Sequence, residues 1–266
     1  MTAKHVLTEG ALQYQRRSQS HAPSSLREFL PPSKIRPSIN PASLKIFWAG
    51  AAHAKMLDML HLEYAESLDL ALCVVAPQTE QTASFTPVAV PLDISVPGIG
   101  DIINLVALCD LNLKHIDLAE ELPMIEIHRR TSVRTGVVTG TYPQGHRHYR
   151  WPCFTSSIPV AGGMSGGFVY LPTDGRPIVA CGVVSADASS ETAYADNRIC
   201  GESIIACTWP SLGLKLPECI PSTPETKTYT LYEMMHTGTV PRAAGSLEKI
   251  SVLTPQDGDI RVWRND

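Results

Sequence analysis

Ser165 stands in Ala161-Gly-Gly-Met-Ser-Gly-Gly-Phe-Val169, with a pair of glycines on either side of Met164-Ser165. A serine hydroxyl is a weak nucleophile until it is exposed and a neighbouring base can take its proton. Glycines serve both needs. They let the chain turn tightly so that Oγ is presented, and they leave room for backbone N–H groups to approach a developing oxyanion. The chemistry these residue types suit is acyl transfer through a serine ester. An incidental serine in a glycine-rich turn is the plain alternative.

Such a serine needs a base, and the base needs an acid to hold its tautomer. Asp69 lies in Leu68-Asp-Leu-Ala-Leu-Cys-Val-Val75, where a lone carboxylate is costly unless it is hydrogen-bonded. The other reading is an Asp at the exposed start of a strand. Nine histidines compete for the base. In the triad order His, Asp, Ser, only those before Asp69 fit. His5, in Thr2-Ala-Lys-His-Val6, precedes Asp69 by 64 residues, and His53, in Gly50-Ala-Ala-His-Ala54, by 16. Asp69 precedes Ser165 by 96 residues. The longer interval leaves room for the strands of a barrel and favours His5, with His53 as the alternative.

The elements that must position these groups read as short strands. Apolar runs predict strands at Leu44–Ala49, Leu68–Val75, Val88–Leu92, Ile102–Cys109, Ile125–Arg129, Val133–Tyr142, Tyr149–Ser156, Gly167–Leu171, Ile178–Val184 and Ile204–Thr208. Leu57–Ser67 fits a helical turn or a loop. Residues 21–45 are rich in Ser and Pro and read as loop. Asp174-Gly175 suits a hairpin turn. Tyr229–Met235 reads as helix and Lys249–Leu253 as a further strand. Ser165 therefore leads into a β-hairpin, whereas the Gly-x-Ser-x-Gly elbow of α/β-hydrolases must lead into a helix.

Composition agrees with an all-β domain. The 266 residues include 18 glycines and 21 prolines, and only 18% are charged. The net charge of −4 advertises neither nucleic acid nor an anionic membrane surface. The seven cysteines are scattered, contain no CxxC pair and read as buried free thiols. No cofactor or metal is expected. His146 and His148 alternate as metal ligands on a strand can, but no thiol or carboxylate sits close by in sequence. The basic-aromatic run Arg147-His-Tyr-Arg-Trp151 reads as a turn beside an exposed strand end. No signal-peptide core or long apolar run is present, so a cytoplasmic location is expected.

Taken together, the chain resembles the trypsin-like (chymotrypsin-fold) serine peptidase superfamily, and within it the bacterial, disulfide-poor branch that includes HtrA-type peptidase domains. The matching pieces are Thr2-Ala-Lys-His5, Asp69-Leu-Ala-Leu72, Gly98-Ile-Gly-Asp101, Gly163-Met-Ser-Gly-Gly167 and Gly182-Val-Val-Ser185, in family order. The resemblance implies two six-stranded antiparallel Greek-key barrels, one over about 1–93 and one over about 94–210. Residues 211–266 would form an extension with a short helix. It implies Ser165 as nucleophile, His5 as general base and Asp69 as orienting acid. The N–H groups of Gly163 and Ser165 would form the oxyanion hole. Ser185 would sit beside the triad on the strand that pairs with substrate backbone. Asp187 would face a pocket for basic side chains or remain a solvated carboxylate. Residues Ser156 to Val160 would wall that pocket. The partner implied is a protein or peptide substrate.

Two departures qualify the resemblance. Met164 stands where digestive peptidases carry an Asp that pairs with a newly cut N-terminus, so no such activation step is implied. Relatives also carry one or two strands before the histidine box, and here His5 is the fifth residue. The first barrel is therefore expected to lack its N-terminal strand or strands. A barrel of this type that binds without catalysing is the competing reading, and an esterase of the α/β-hydrolase type is the third.

Overall fold

The computed structural model describes residues 1–4, 6–7, 45–49, 54–64, 68–77, 89–116, 124–147, 149–160, 163–173, 175, 177–187, 202–217, 227–253 and 261–265. Its largest unit is a closed barrel of six antiparallel strands. The strands are β5 (Ile102–Ile116), β6 (Met124–Tyr142), β7 (Cys153–Ser156), β8 (Phe168–Tyr170), β9 (Ala180–Asp187) and β10 (Ser203–Cys207). Around the barrel the order is β10-β7-β6-β5-β8-β9, closed by pairing of β9 with β10.

Alternation decides which side of each strand faces inward. On β5, Ile103, Leu105, Ala107 and Cys109 are buried while Ile102 and Leu108 are exposed. Val138, Phe154, Ile158, Val169, Cys181, Val184 and Ile205 complete the interior. Each large side chain so buried contributes roughly 1.5–3 kcal/mol. Gly182 is required by this packing, because a Cβ there would lie 2.5 Å from Ile205 Cγ2 and 3.0 Å from Phe154.

The N-terminal strands form a second sheet. They are β1 (Thr2–Ala3), β2 (Lys45–Ala49), β3 (Ala54–Tyr64) and β4 (Leu70–Pro77), in the order β1-β4-β3-β2. Among the described residues this sheet has four strands, against the six of the expected first barrel. β3 occupies the stretch that read as helical turn or loop. A register shift between Met59 and His61 breaks the period of two there, which hid the strand.

Other boundaries also differ from the sequence reading. Ile125–Arg129 and Val133–Tyr142 are one strand, β6, and β5 runs on past Cys109 to Ile116. Over this stretch the two strands form a long ribbon. Val88–Leu92 is not a strand in its described part. Leu92 makes isolated bridges to Ala180 and Arg242 instead. Asp174 lies outside the described residues, and so does most of the Ser/Pro-rich stretch 21–45.

After β10 come a 3-10 turn at Trp209–Gly213, β11 (Lys215–Pro217), β12 (Thr228–Thr230), a helix at Leu231–His236, and the hairpin of β13 (Ile250–Leu253) and β14 (Arg261–Arg264). The helix starts at Leu231 because Thr230 caps it. The Thr230 side chain accepts from Glu233 N–H, and the Glu233 carboxylate accepts from Thr230 N–H. Leu231, Met234 and Met235 pack with Leu212, Leu214 and Leu216 against Leu72 of β4 and Ile94. The C-terminal segment thus covers the outer sheet. Among the described residues no helix is long and apolar enough to cross a membrane.

Cys73, Cys109, Cys153, Cys181 and Cys207 are free thiols, while Cys200 and Cys219 lie outside the described residues. Burial pushes Cys153 from its ordinary value of 9.0 up to about 11. Burial, and then the Asp93 carboxylate, pushes Cys181 up to about 12. A group whose folded pKa is raised stabilises the fold in full below the unfolded pKa, and that stabilisation is lost as pH rises through the folded value. The urea midpoint should therefore fall between pH 9 and pH 12, each thiol contributing up to about 1.4 kcal/mol per pH unit. Cys181→Ala should flatten that decline. An identical decline in Cys181→Ala and wild type would refute the assignment for this thiol.

Candidate active site

Ser165 sits at the second position of a tight turn. Gly167 N–H donates to Met164 O at 3.0 Å, and Gly166 has φ +88°. A type II turn needs positive φ at its third residue, which explains Gly166. Two bonds fix the turn to β9: Gly166 N–H to Val184 O at 2.9 Å and Val184 N–H to Gly167 O at 2.8 Å. Gly167 lies against β5, where a Cβ would meet Ala107 Cβ at 2.5 Å and Val106 O at 2.7 Å. Met164 is fully buried in the barrel core, so the side chain before the serine plugs the turn into the interior. Beyond the turn the chain enters strand β8, not a helix.

Asp69 immediately precedes β4 and is 3% exposed. The Ser185 hydroxyl, itself fully buried on β9, donates a short hydrogen bond to Asp69 Oδ2. The backbone carbonyl of the same Ser185 accepts from Ser165 Oγ at 3.2 Å. One residue therefore touches both the candidate nucleophile and the candidate acid. The exposed strand-start reading of Asp69 is set aside by this burial and bonding.

His5 lies outside the described residues, and so does His53. Their described neighbours are informative. Ala3 pairs with Leu70, and Lys4 N–H donates to Asp69 O at 3.1 Å, so the chain entering His5 is bonded to the backbone of Asp69. Ala54, beside His53, begins β3 at the other end of β4, beyond the pairing of Leu57 with Pro77. The length of β4 separates it from Asp69, about 25 Å. Backbone pairing thus brings the flank of His5, and not that of His53, to the acid.

The N–H groups of Gly163 and Ser165 have no acceptor among the described residues. Gly163 has φ +88° and open space where a Cβ would be. Both residues line a cleft of about 350 Å³, with Thr2, Leu108, Thr131 and Phe168 on its other walls. Thr2 escaped the sequence reading except as a flank of the histidine string. Its Oγ1 would lie 2.6 Å from a Cβ at residue 166, so β1 touches the serine turn directly.

The expected pocket wall is partly described. Ser156 is buried, bonded to Ser203 Oγ at 2.7 Å and accepting from Ile158 N–H at 3.2 Å. It holds β7 to β10 and is not free for a ligand. Asp187 ends β9 opposite Ser203, and its side chain is outside the described residues. The run Arg147–Trp151 is part of a turn in which His146 and Tyr149 exchange backbone bonds of 2.8 and 2.9 Å. His148 is outside the described residues. Among the described residues no group of three potential metal ligands occurs.

Searched against protein-family models and curated proteins, the chain matches none. The reading of the site rests on its own geometry.

Removing the Ser185 hydroxyl takes a donor from a buried carboxylate. Ser185→Ala should cost about 1–3 kcal/mol in urea unfolding. In a cycle with Asp69→Ala, the double variant should lose less than the sum of the singles by at least about 0.5 kcal/mol. Strict additivity would show that the bond contributes nothing.

Proposed function

We propose that this chain is a serine endopeptidase of the chymotrypsin type, and that its fold is the two-barrel Greek-key arrangement of that class. The observation that carries the reading is Ser185, which accepts from Ser165 through its carbonyl and donates to Asp69 through its hydroxyl. The bond between Lys4 and Asp69 supports His5 as the base. The strand order supports the fold, because β7 pairs with β10 while β8, β9 and β10 follow one another as neighbours. The strand after Ser165 speaks against the α/β-hydrolase elbow, which requires a helix there.

In this mechanism His5 removes the Ser165 proton as Oγ attacks the peptide carbonyl. Asp69 holds the imidazole in the tautomer that accepts at the serine and stabilises its charge. The unengaged N–H groups of Gly163 and Ser165 receive the oxyanion. The amine leaves with the proton carried by His5. Water, deprotonated by the same histidine, then hydrolyses the acyl-enzyme. Pairing of β9 with β8 ends at Val183, so from Ser185 onward β9 is flanked on its β10 side only, among the described residues. Its other edge suits an extended peptide.

The same juxtaposition directs the Ser165 proton at the Ser185 carbonyl, which also suits a second reading, a barrel that binds peptides without cleaving them. A labelled fluorophosphonate separates the two. Covalent labelling of the wild-type chain is expected, with complete loss in Ser165→Ala and at least about a hundredfold slower labelling in His5→Ala, the scale of a lost general base. Labelling that persists in Ser165→Ala, or its absence from folded wild type, would overturn the peptidase reading.

A further inference from the structure

A second cavity, of about 370 Å³, opens at the other mouth of the barrel. Pro97, Tyr142, Cys153, Cys207, Trp209 and Arg264 are among its walls. The strand β5 begins at this mouth and runs toward Ala107, against which the serine turn packs. The five steps along β5 from Ile102 to Ala107 alone span roughly 17 Å.

Arg264 is what makes this cavity unusual. It comes from β14, where it pairs with Ile250, and the next residue anchors the strand by donating from Asn265 N–H to Lys249 O at 2.8 Å. Its Nε has no hydrogen-bond partner among the described residues. Among the described residues the cavity wall carries no carboxylate. Arg264 lines the cavity, and a planar guanidinium is matched best by a carboxylate that takes two parallel bonds. The other walls mix apolar side chains with two aromatic rings and the polar Thr141. Tyr142 is held in place by the ring of His146, 4.0 Å away between centroids, and Trp209 packs against both the barrel core and the C-terminal core. The volume is at the small end of ligand pockets, which suits a molecule of one or two rings.

We propose that this cavity binds a small aromatic carboxylate, with its carboxylate on the Arg264 guanidinium and its ring system against Tyr142 and Trp209. The site is separate from Ser165 and does not rest on the peptidase reading. The thiols of Cys153 and Cys207 form part of its floor as neutral, buried groups, since burial raises both. They contribute shape and polarisable surface, not nucleophiles.

The test is calorimetric titration of the full chain with 2-naphthoate, alongside the neutral 2-naphthamide. Saturable 1:1 binding of the naphthoate is expected, with the naphthamide at least tenfold weaker. Arg264→Met should weaken the naphthoate at least tenfold and leave the naphthamide unchanged. Ser165→Ala should bind naphthoate as wild type does. Absence of naphthoate binding, equal binding of both probes, or full affinity in folded Arg264→Met would overturn the proposal. Loss of binding in Ser165→Ala would place the probe in the serine cleft and overturn it too. The comparison of acid with amide uses only the wild-type chain, so it decides the matter even where Arg264→Met does not fold.

Discussion

A carboxylate 3% exposed, at the seam between two β-sheets, is the constraint around which this molecule is arranged. Asp69 belongs to the N-terminal sheet and its donor, Ser185, to the barrel. Taking a charge out of water costs several kcal/mol, and only well-placed donors offset it. The surroundings raise that cost. Ala3, Leu70, Val183 and Ala206 form an apolar cluster drawn from both sheets. The polar tie is therefore set within apolar contact, where a donor displaced by an ångström would leave the charge unsatisfied. Such a tie specifies how the sheets meet more sharply than apolar packing alone does.

The rest of the architecture keeps that seam in register. The connector between the sheets is pinned on two sides. Asp93 N–H bonds Ala180 O at 2.7 Å and Ala180 N–H bonds Pro91 O at 2.8 Å, while Leu92 exchanges bonds of 3.0 and 2.9 Å with Pro241 and Ala243. The C-terminal segment thus fastens the start of β9, five residues upstream of Ser185. Its helix and the turn at Trp209 also bury the outer side of β4, the strand that Asp69 introduces. Residues after 210, expected only as an extension with a short helix, belong to the positioning of the candidate acid.

The sequence made the serine turn and most barrel strands legible because both depend on local signals. Glycines at fixed offsets mark the turn, and apolar runs mark β5, β8, β9 and β10. What stayed hidden depends on partners. β3 carries apolar residues at 56, 57, 59, 60, 62 and 64, a spacing that suits a helix as well as a strand, and only its bulged pairing with β4 decides. The ribbon beyond Cys109 has polar residues interleaved on both strands, so backbone pairing holds it where no apolar run announces it. Val88–Leu92 looked extended, but Pro91 removes a donor from within it, and Leu92 bonds Pro241 and Ala243 in an isolated bridge. Of the site, Asp69 and Ser185 were readable as a costly carboxylate and a family position. The contact of Thr2 with the serine turn was not, because it joins residues 164 positions apart.

Met164 shows how the two cores share the work of presenting Ser165. A charged residue at that position would need its own buried partner. A methionine needs only volume, and it is fully buried in the barrel interior. The turn above it is then set by three backbone bonds and two glycines without room for side chains. None of these elements titrates, and apart from the Thr2 contact at Gly166 all lie within the barrel. The conformation of the serine turn is thereby determined by folding of the barrel itself. The alignment of the turn with Asp69 is determined separately, by the seam between the sheets. A disturbance of the N-terminal sheet would accordingly leave the serine presented and its acid misplaced, whereas a disturbance of the barrel core would lose both.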